Sequence, residues 1–290
     1  WRAKLMNTSL FRLASLLVTV GAVSTLQDQE MFRNLVYCFA YGHYLLAVFY
    51  SKRQIQSAAS QPDSLFSTAL LLGAGVLLFI FTEGFLPILF TIHVALEEAY
   101  LNSKDPRFPS GALSALLICL YLFLFRDTEY ARIVHPRLWL AAAVSAWIFF
   151  GVCLYRVHRL LSPKELLSRT GPALIVGSAA VISFFYHVSF IQIALYHFLF
   201  WLFYPSAKMP GLRFPALMTA VAGTAFLFSP MGFFPAPMDT SLFRKGFLLL
   251  SYLHISYSFI LSDAQPAWIA RLLRPSFKAQ GKISRSAAVS

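Results

Sequence analysis

Charge is scarce in this chain, and acids are scarcest. Asp and Glu number 12 in 290 residues, and charged residues of all kinds make up 12%, about half the ~25% of an ordinary soluble domain. There are three cysteines, Cys38, Cys119 and Cys153, each inside an apolar segment. That placement argues against a disulfide framework and for buried free thiols. No Gly-rich phosphate loop and no CxxC occurs, and no Ser/His/Asp spacing stands out from background. The HxxxH and HxxHH clusters of membrane desaturases and hydroxylases are missing as well. No segment alternates with period two, so a membrane β-barrel is excluded. The net charge of +12 is not a nucleic-acid signal, because the basic residues gather at the ends of apolar runs and in the tail, where a bilayer places them.

What the chain does have is apolar length. It is 58% hydrophobic with a mean hydropathy of +0.65. Runs of ~17–20 mostly apolar residues recur, each long enough to cross ~30 Å of hydrocarbon as a helix. The expected fold is therefore all-α, a polytopic transmembrane helical bundle. Clear spans cover about 9–26, 35–51, 112–125, 138–155, 215–229 and 246–262. Ala22-Val23-Ser24 matches a signal-peptide cleavage pattern, but the segment is retained and is read as the first span. Two longer stretches need dividing. Residues 66–102 would make one helix of ~55 Å, and residues 172–204 one of ~50 Å, both too long for a single crossing. Glu83, Gly84 and Pro87 supply a turn in the first, giving 66–82 and 85–102. The second has no obvious breaker and is divided near His187.

Charge asymmetry chooses the count. With ten spans and a cytoplasmic N-terminus, 17 Lys and Arg lie inside and six lie outside, with Arg12 within the first span. Merging both long stretches gives 14 inside and nine outside. The larger bias favours ten spans, with both termini cytoplasmic. Residues 1–270 form a single membrane domain, and 271–290 a basic cytoplasmic tail expected to be disordered.

Four of the seven histidines fall at the middle of spans: His43, His93, His197 and His254. In the ten-span topology these are spans 2, 4, 8 and 10, which all run in the same direction, so the four imidazoles lie at nearly one height. A single buried histidine is often only an interhelical hydrogen-bond donor. Four at one depth point to a buried metal or cofactor, and imidazole suits iron, copper and zinc. Ligating histidines need partners for their second nitrogens. Glu97, four residues after His93 on the same face, is an acceptor or a direct ligand. Ser251 and Ser258 flank His254, and Tyr44 and Tyr196 sit beside their histidines. Glu98 is read first as a solvated helix-end residue and second as an alternative ligand. His187 stands ~15 Å along a helix from His197 and is a reserve ligand near the outer surface. His135 and His158 sit among loop charges. Phe39, Phe90, Phe198 and Trp201 lie near the central histidines and are candidates to line a slot for a long apolar molecule.

Two other classes compete. The chain could be a transporter or a complex subunit with structural histidines, although it shows no convincing internal repeat. It could also be a b-type haem protein, but paired haems usually sit at two depths with two histidines on one helix, whereas four helices at one depth suit a single mononuclear centre.

Gly42-His43 near the start, IHVALEEAY around His93, Tyr196-His197 in an aromatic span and a late Leu253-His254 together resemble the Brp/Blh family. Its members are bacterial and archaeal membrane β-carotene 15,15′-dioxygenases that make retinal. That family carries an HGxxD motif, an HFGxxD-type motif, a WHxxRH-like motif and a TxPH segment in this order. Here the glycine precedes His43 and Ala47 holds the acidic place. The second motif lacks its glycine, Trp201 stands four residues after His197 without a following histidine, and Leu253 replaces the proline. The resemblance implies Fe(II) held by His43, His93, His197 and His254 with open positions for O₂, Glu97 orienting His93, and no catalytic residue beyond the ligands. It also implies a carotenoid substrate in the lipid bilayer of a prokaryotic cytoplasmic membrane, and a retinal-binding protein as recipient of the product.

Overall fold

Apolar runs with few breakers dictate helices, and every regular element among the described residues is helical. The computed structural model describes residues 2–26, 29–50, 56, 62–81, 85–103, 107–126, 135–208, 210–227 and 240–261; the basic tail at 271–290 lies outside them. Among the described residues ten α-helices follow in order. They are α1 (Arg2–Thr25), α2 (Gln29–Tyr50), α3 (Pro62–Phe81), α4 (Leu86–Ser103) and α5 (Ser110–Leu124), then α6 (Pro136–Val157), α7 (Pro163–Ile182), α8 (Phe190–Lys208), α9 (Arg213–Leu227) and α10 (Thr240–Leu261). They correspond one to one with the ten expected segments. Both divisions are present. The first falls between Phe81 and Leu86, where Glu83 and Gly84 lie outside the described residues.

The second division, between Ile182 and Phe190, contains neither glycine nor proline. Side chains make it. Arg126, just past α5, donates to the Ser183 carbonyl and to Ser183 Oγ, each at 3.1 Å, and so satisfies a carbonyl that the next helical turn would have used. Downstream, the Ser189 amide donates to Gln192 Oε1 at 3.1 Å and the Gln192 amide donates back to Ser189 Oγ at 3.4 Å. That S-x-x-Q capping box starts α8.

Other helix starts follow familiar chemistry. Ser162 caps α7 in a full capping box with Glu165, with Pro163 in the first turn. His135, expected to be merely solvated, accepts from the Arg137 amide at 3.2 Å and caps α6. His158 is exposed, its Nδ1 bonded to the Tyr155 carbonyl.

α2 packs against α8, α9 and α10; α10 also packs on α3 and α4; α4 leads through α5 to α6 and α7; and α1 closes against α8 and α7. At Gly42 on α2 the chains approach so closely that a Cβ would run into the Thr219 side chain of α9, the small-residue packing that brings helices together without a hydrophobic driving force. The interior is largely apolar, yet large apolar side chains also face outward: Leu10, Leu13 and Leu17 on α1 and Leu138, Ile148 and Phe149 on α6 are exposed, while Arg12, Glu97, Glu98 and Arg169 are buried. Arg169, assigned by sequence to a cytoplasmic loop, lies inside α7 with its guanidinium 5.6 Å from the Phe108 ring. Among the described residues one helical stretch, Pro136–Leu160, is by itself long and apolar enough to cross a membrane; shorter apolar stretches are Ser9–Thr25, Leu72–Phe81, Ser110–Leu124 and Phe190–Ser206. The three cysteines are free and half-buried.

Candidate metal centre

Helices α2, α4, α8 and α10 bring His43, His93, His197 and His254 to one buried place. The rings form a closed circuit. Centroids lie 4.6 Å apart for His43–His254, 5.2 Å for His254–His93, 5.4 Å for His93–His197 and 5.2 Å for His197–His43. Within the circuit the donor atoms fall into two sets. His43 Nε2 and His254 Nε2 are 3.0 Å apart and share a hydrogen bond, one ring donating and the other accepting. The other set is His93, Glu97 and His197, whose ligand atoms all lie within 4.8 Å of one another. Glu97 Oε2 is central to it, 3.5 Å from His93 Nε2 and 3.8 Å from His197 Nε2.

Bonds of ~2.0–2.2 Å at tetrahedral or octahedral angles set neighbouring ligand atoms about 3.0–3.6 Å apart; the Glu97–His93 separation lies in that range and the 3.8 Å from Glu97 to His197 just beyond it. Glu97 Oε2 and His197 Nε2 are buried and have no hydrogen-bond partner, a costly state for polar atoms in an apolar interior that a shared cation would relieve. Two imidazoles and one carboxylate are the donor set of the facial triad that holds non-haem Fe(II) with open positions; zinc hydrolases use the same three groups. Glu97 is thus placed as a ligand-distance partner of two histidines, more central than an orienting acceptor for His93 alone.

Glu98 points elsewhere. Successive side chains on a helix diverge by about 100°, and Glu98 turns toward α1, where Arg12 Nε donates to Oε2 at 3.1 Å and the terminal guanidinium nitrogen binds the same oxygen. Arg12 also lies over the Phe200 ring, 5.3 Å from its centroid. The expectation of a solvated helix end, or of a spare ligand, is corrected: Glu98 is 3% exposed and engaged in a buried ion pair. The signal was in the sequence, since Arg12 is a lone cation in an apolar span and needs an acid at its own depth. His187 is exposed in the 183–189 connection between α7 and α8, so the reserve role kept for an undivided stretch does not arise.

The surroundings hold the rings. Ser251 donates to the Phe247 carbonyl at 2.7 Å and therefore accepts from the Tyr44 hydroxyl at 2.6 Å, fixing Tyr44 with its ring 4.9 Å from that of His254. Ser258 is buried one turn beyond His254. Phe198 packs 5.3 Å from His43, Phe90 packs 5.3 Å from His197, and Trp201 lies 6.5 Å from His197. Phe39 is in the hydrophobic core. Tyr196, expected beside His197, instead faces a cavity on the other side of α8. No family model, curated protein or solved structure matches the chain.

Proposed function

We propose that this chain is an integral membrane protein of ten spans with both termini cytoplasmic, whose buried centre holds Fe(II) for the oxidative cleavage of a carotenoid or similar apolar polyene, with β-carotene to retinal as the leading reaction. The observation that carries it is the meeting of His93, Glu97 and His197, closed by His43 and His254, in an interior lined with phenylalanine. The outward apolar faces of α1 and α6, against buried Arg12, Glu97, Glu98 and Arg169, favour lipid as the surrounding medium.

His93, Glu97 and His197, with His43 and His254, would hold ferrous iron, which would supply the activation of O₂. The remaining tasks fall to the chain. The Glu97 carboxylate places a negative charge beside the imidazoles of His93 and His197. Tyr44, pinned by Ser251, holds the His254 ring in place from one face. Phe90 and Phe198 exclude water from the rings they cover. Adding both atoms of O₂ across one C=C bond yields two carbonyls, so the reaction needs no external reductant and no general acid or base, in keeping with so few ionisable groups. The resemblance to the Brp/Blh family supplies the substrate, a prokaryotic cytoplasmic membrane as the location, and a retinal-binding protein as recipient.

The test has two parts. Detergent-purified protein should carry about one iron per chain, lost on His197→Ala and on Glu97→Ala. Expressed in a β-carotene-producing bacterium, the wild type should accumulate retinal while the orange colour fades, and both variants should do neither. Absence of metal overturns the centre. Zinc in place of iron moves the reading to a hydrolase. Iron with unchanged carotenoid overturns the substrate.

A further inference from the structure

α8 carries a second feature back to back with the first. His197 faces the histidine circuit, and Tyr196, one residue earlier, turns into a cavity of about 450 Å³ that is bounded by α1, α5, α7 and α8 and open on one side. Its walls are mainly apolar, with Leu16 and Val20 from α1, Ile175 and Ala179 from α7 and Ile193 from α8, and none of the residues lining it is charged. Thr19 and Gln192 in the lining are bonded within the chain, and Ser24 and Ser178 also reach it; two phenols stand apart. Tyr121 on α5 and Tyr196 on α8 both line this cavity, both are at least nine-tenths buried, and neither hydroxyl has a hydrogen-bond partner. Phenylalanine would fill the same space without leaving a buried hydroxyl unsatisfied, so a tyrosine at each position calls for a partner that the described residues do not provide.

We propose that this cavity is a binding site for a neutral lipid, a long apolar body ending in one hydroxyl or carbonyl oxygen, with that oxygen bonded by Tyr121 and Tyr196. The apolar walls take the body, and the phenols take the oxygen. A phospholipid headgroup finds no cation in the lining. A pure hydrocarbon leaves both hydroxyls orphaned. The volume falls within the range of small-molecule pockets. The site stands on the cavity alone and does not require the iron reading.

Full-length protein in phosphatidylcholine nanodiscs is titrated with tritiated phytanol and, separately, with tritiated phytane, its alkane. The alcohol should bind saturably and at least about tenfold more tightly than the alkane, as expected when two hydrogen bonds are made by one and by neither in the other. Tyr121→Phe and Tyr196→Phe should each weaken phytanol by about 3–10-fold and leave phytane unchanged. Val20→Trp, which fills the cavity from an exposed position on α1, should abolish phytanol binding while the thermal unfolding midpoint stays at the wild-type value. Equal binding of alcohol and alkane, phenylalanine variants that bind phytanol like wild type, or no saturable binding would each overturn the proposal. Metal content is read in parallel and should be unaffected by Val20→Trp, which separates failure here from failure of the iron centre.

Discussion

Gly42→Ala tests whether the close contact of α2 with α9 sets the position of His43. A Cβ at residue 42 would lie 2.8 Å from Thr219 Cβ and 2.6 Å from Thr219 Oγ1, and would collide with Thr219 Cγ2. Thr219 cannot simply turn away, because its hydroxyl donates to the Pro215 carbonyl at 2.9 Å and its β-branched side chain has few rotamers. Bringing the two Cβ atoms to an ordinary 3.4 Å contact requires the helices to separate by about 0.6 Å, and clearing Cγ2 requires more. His43 is the next residue and moves with α2. Metal–ligand distances tolerate only about ±0.2 Å, so the displacement is roughly three times what a bound ion allows. Overpacking should cost about 1–3 kcal/mol of stability, and metal affinity should fall about 10–100-fold, the range seen when a ligand loses its support. The assay is metal affinity by competition with a chelator, read beside thermal unfolding in the same detergent. Thr219→Gly removes all three clashing atoms and should restore affinity in the double variant. Thr219→Ala leaves the 2.8 Å clash and should restore it only in part. Wild-type affinity in Gly42→Ala, or equal rescue by alanine and glycine, would refute the argument.

The Arg12–Glu98 pair should be a structural clamp, with Arg12→Met or Glu98→Gln alone costing about 3–5 kcal/mol through the charge left buried, and Arg12→Met with Glu98→Leu recovering most of it; thermal unfolding in detergent measures this, and additive losses in the double variant would contradict it. Glu165, exposed at the start of α7, accepts from the Ser162 amide and hydroxyl, and these bonds hold its carboxyl below the usual 4.5. A depressed folded value means the cap contributes fully above the unfolded-state value and is lost as pH falls through the lower folded one. Amides in the first turn of α7 should therefore exchange faster as pH drops below about 4, after correction for intrinsic rates, and Glu165→Gln should remove that dependence; an unchanged dependence in the variant would count against the cap.

Much of the fold was legible because hydropathy is a local property. Each apolar run becomes a helix wherever it ends up packing, so the ten segments and the mid-segment position of His43, His93, His197 and His254 could be read one stretch at a time. Even the start of α8 had a local mark, Ser189 and Gln192 three residues apart, although the preceding helix end did not. That end depends on Arg126, which reaches Ser183 across 57 residues. The facing of each helix about its own axis was not legible either. Glu97 and Glu98 are adjacent acids that sequence alone could not assign. One enters the histidine circuit and the other meets Arg12 because α4 is held in a single rotation by α5 and α10 on its flanks. The same constraint divides the expected four-histidine set into a His93–Glu97–His197 group and a His43–His254 pair, and turns Tyr196 away from His197 into a cavity. Depth along a helix is written in residue count. The direction a side chain faces around it is decided by which neighbours the helix packs against, and those neighbours are distant in sequence.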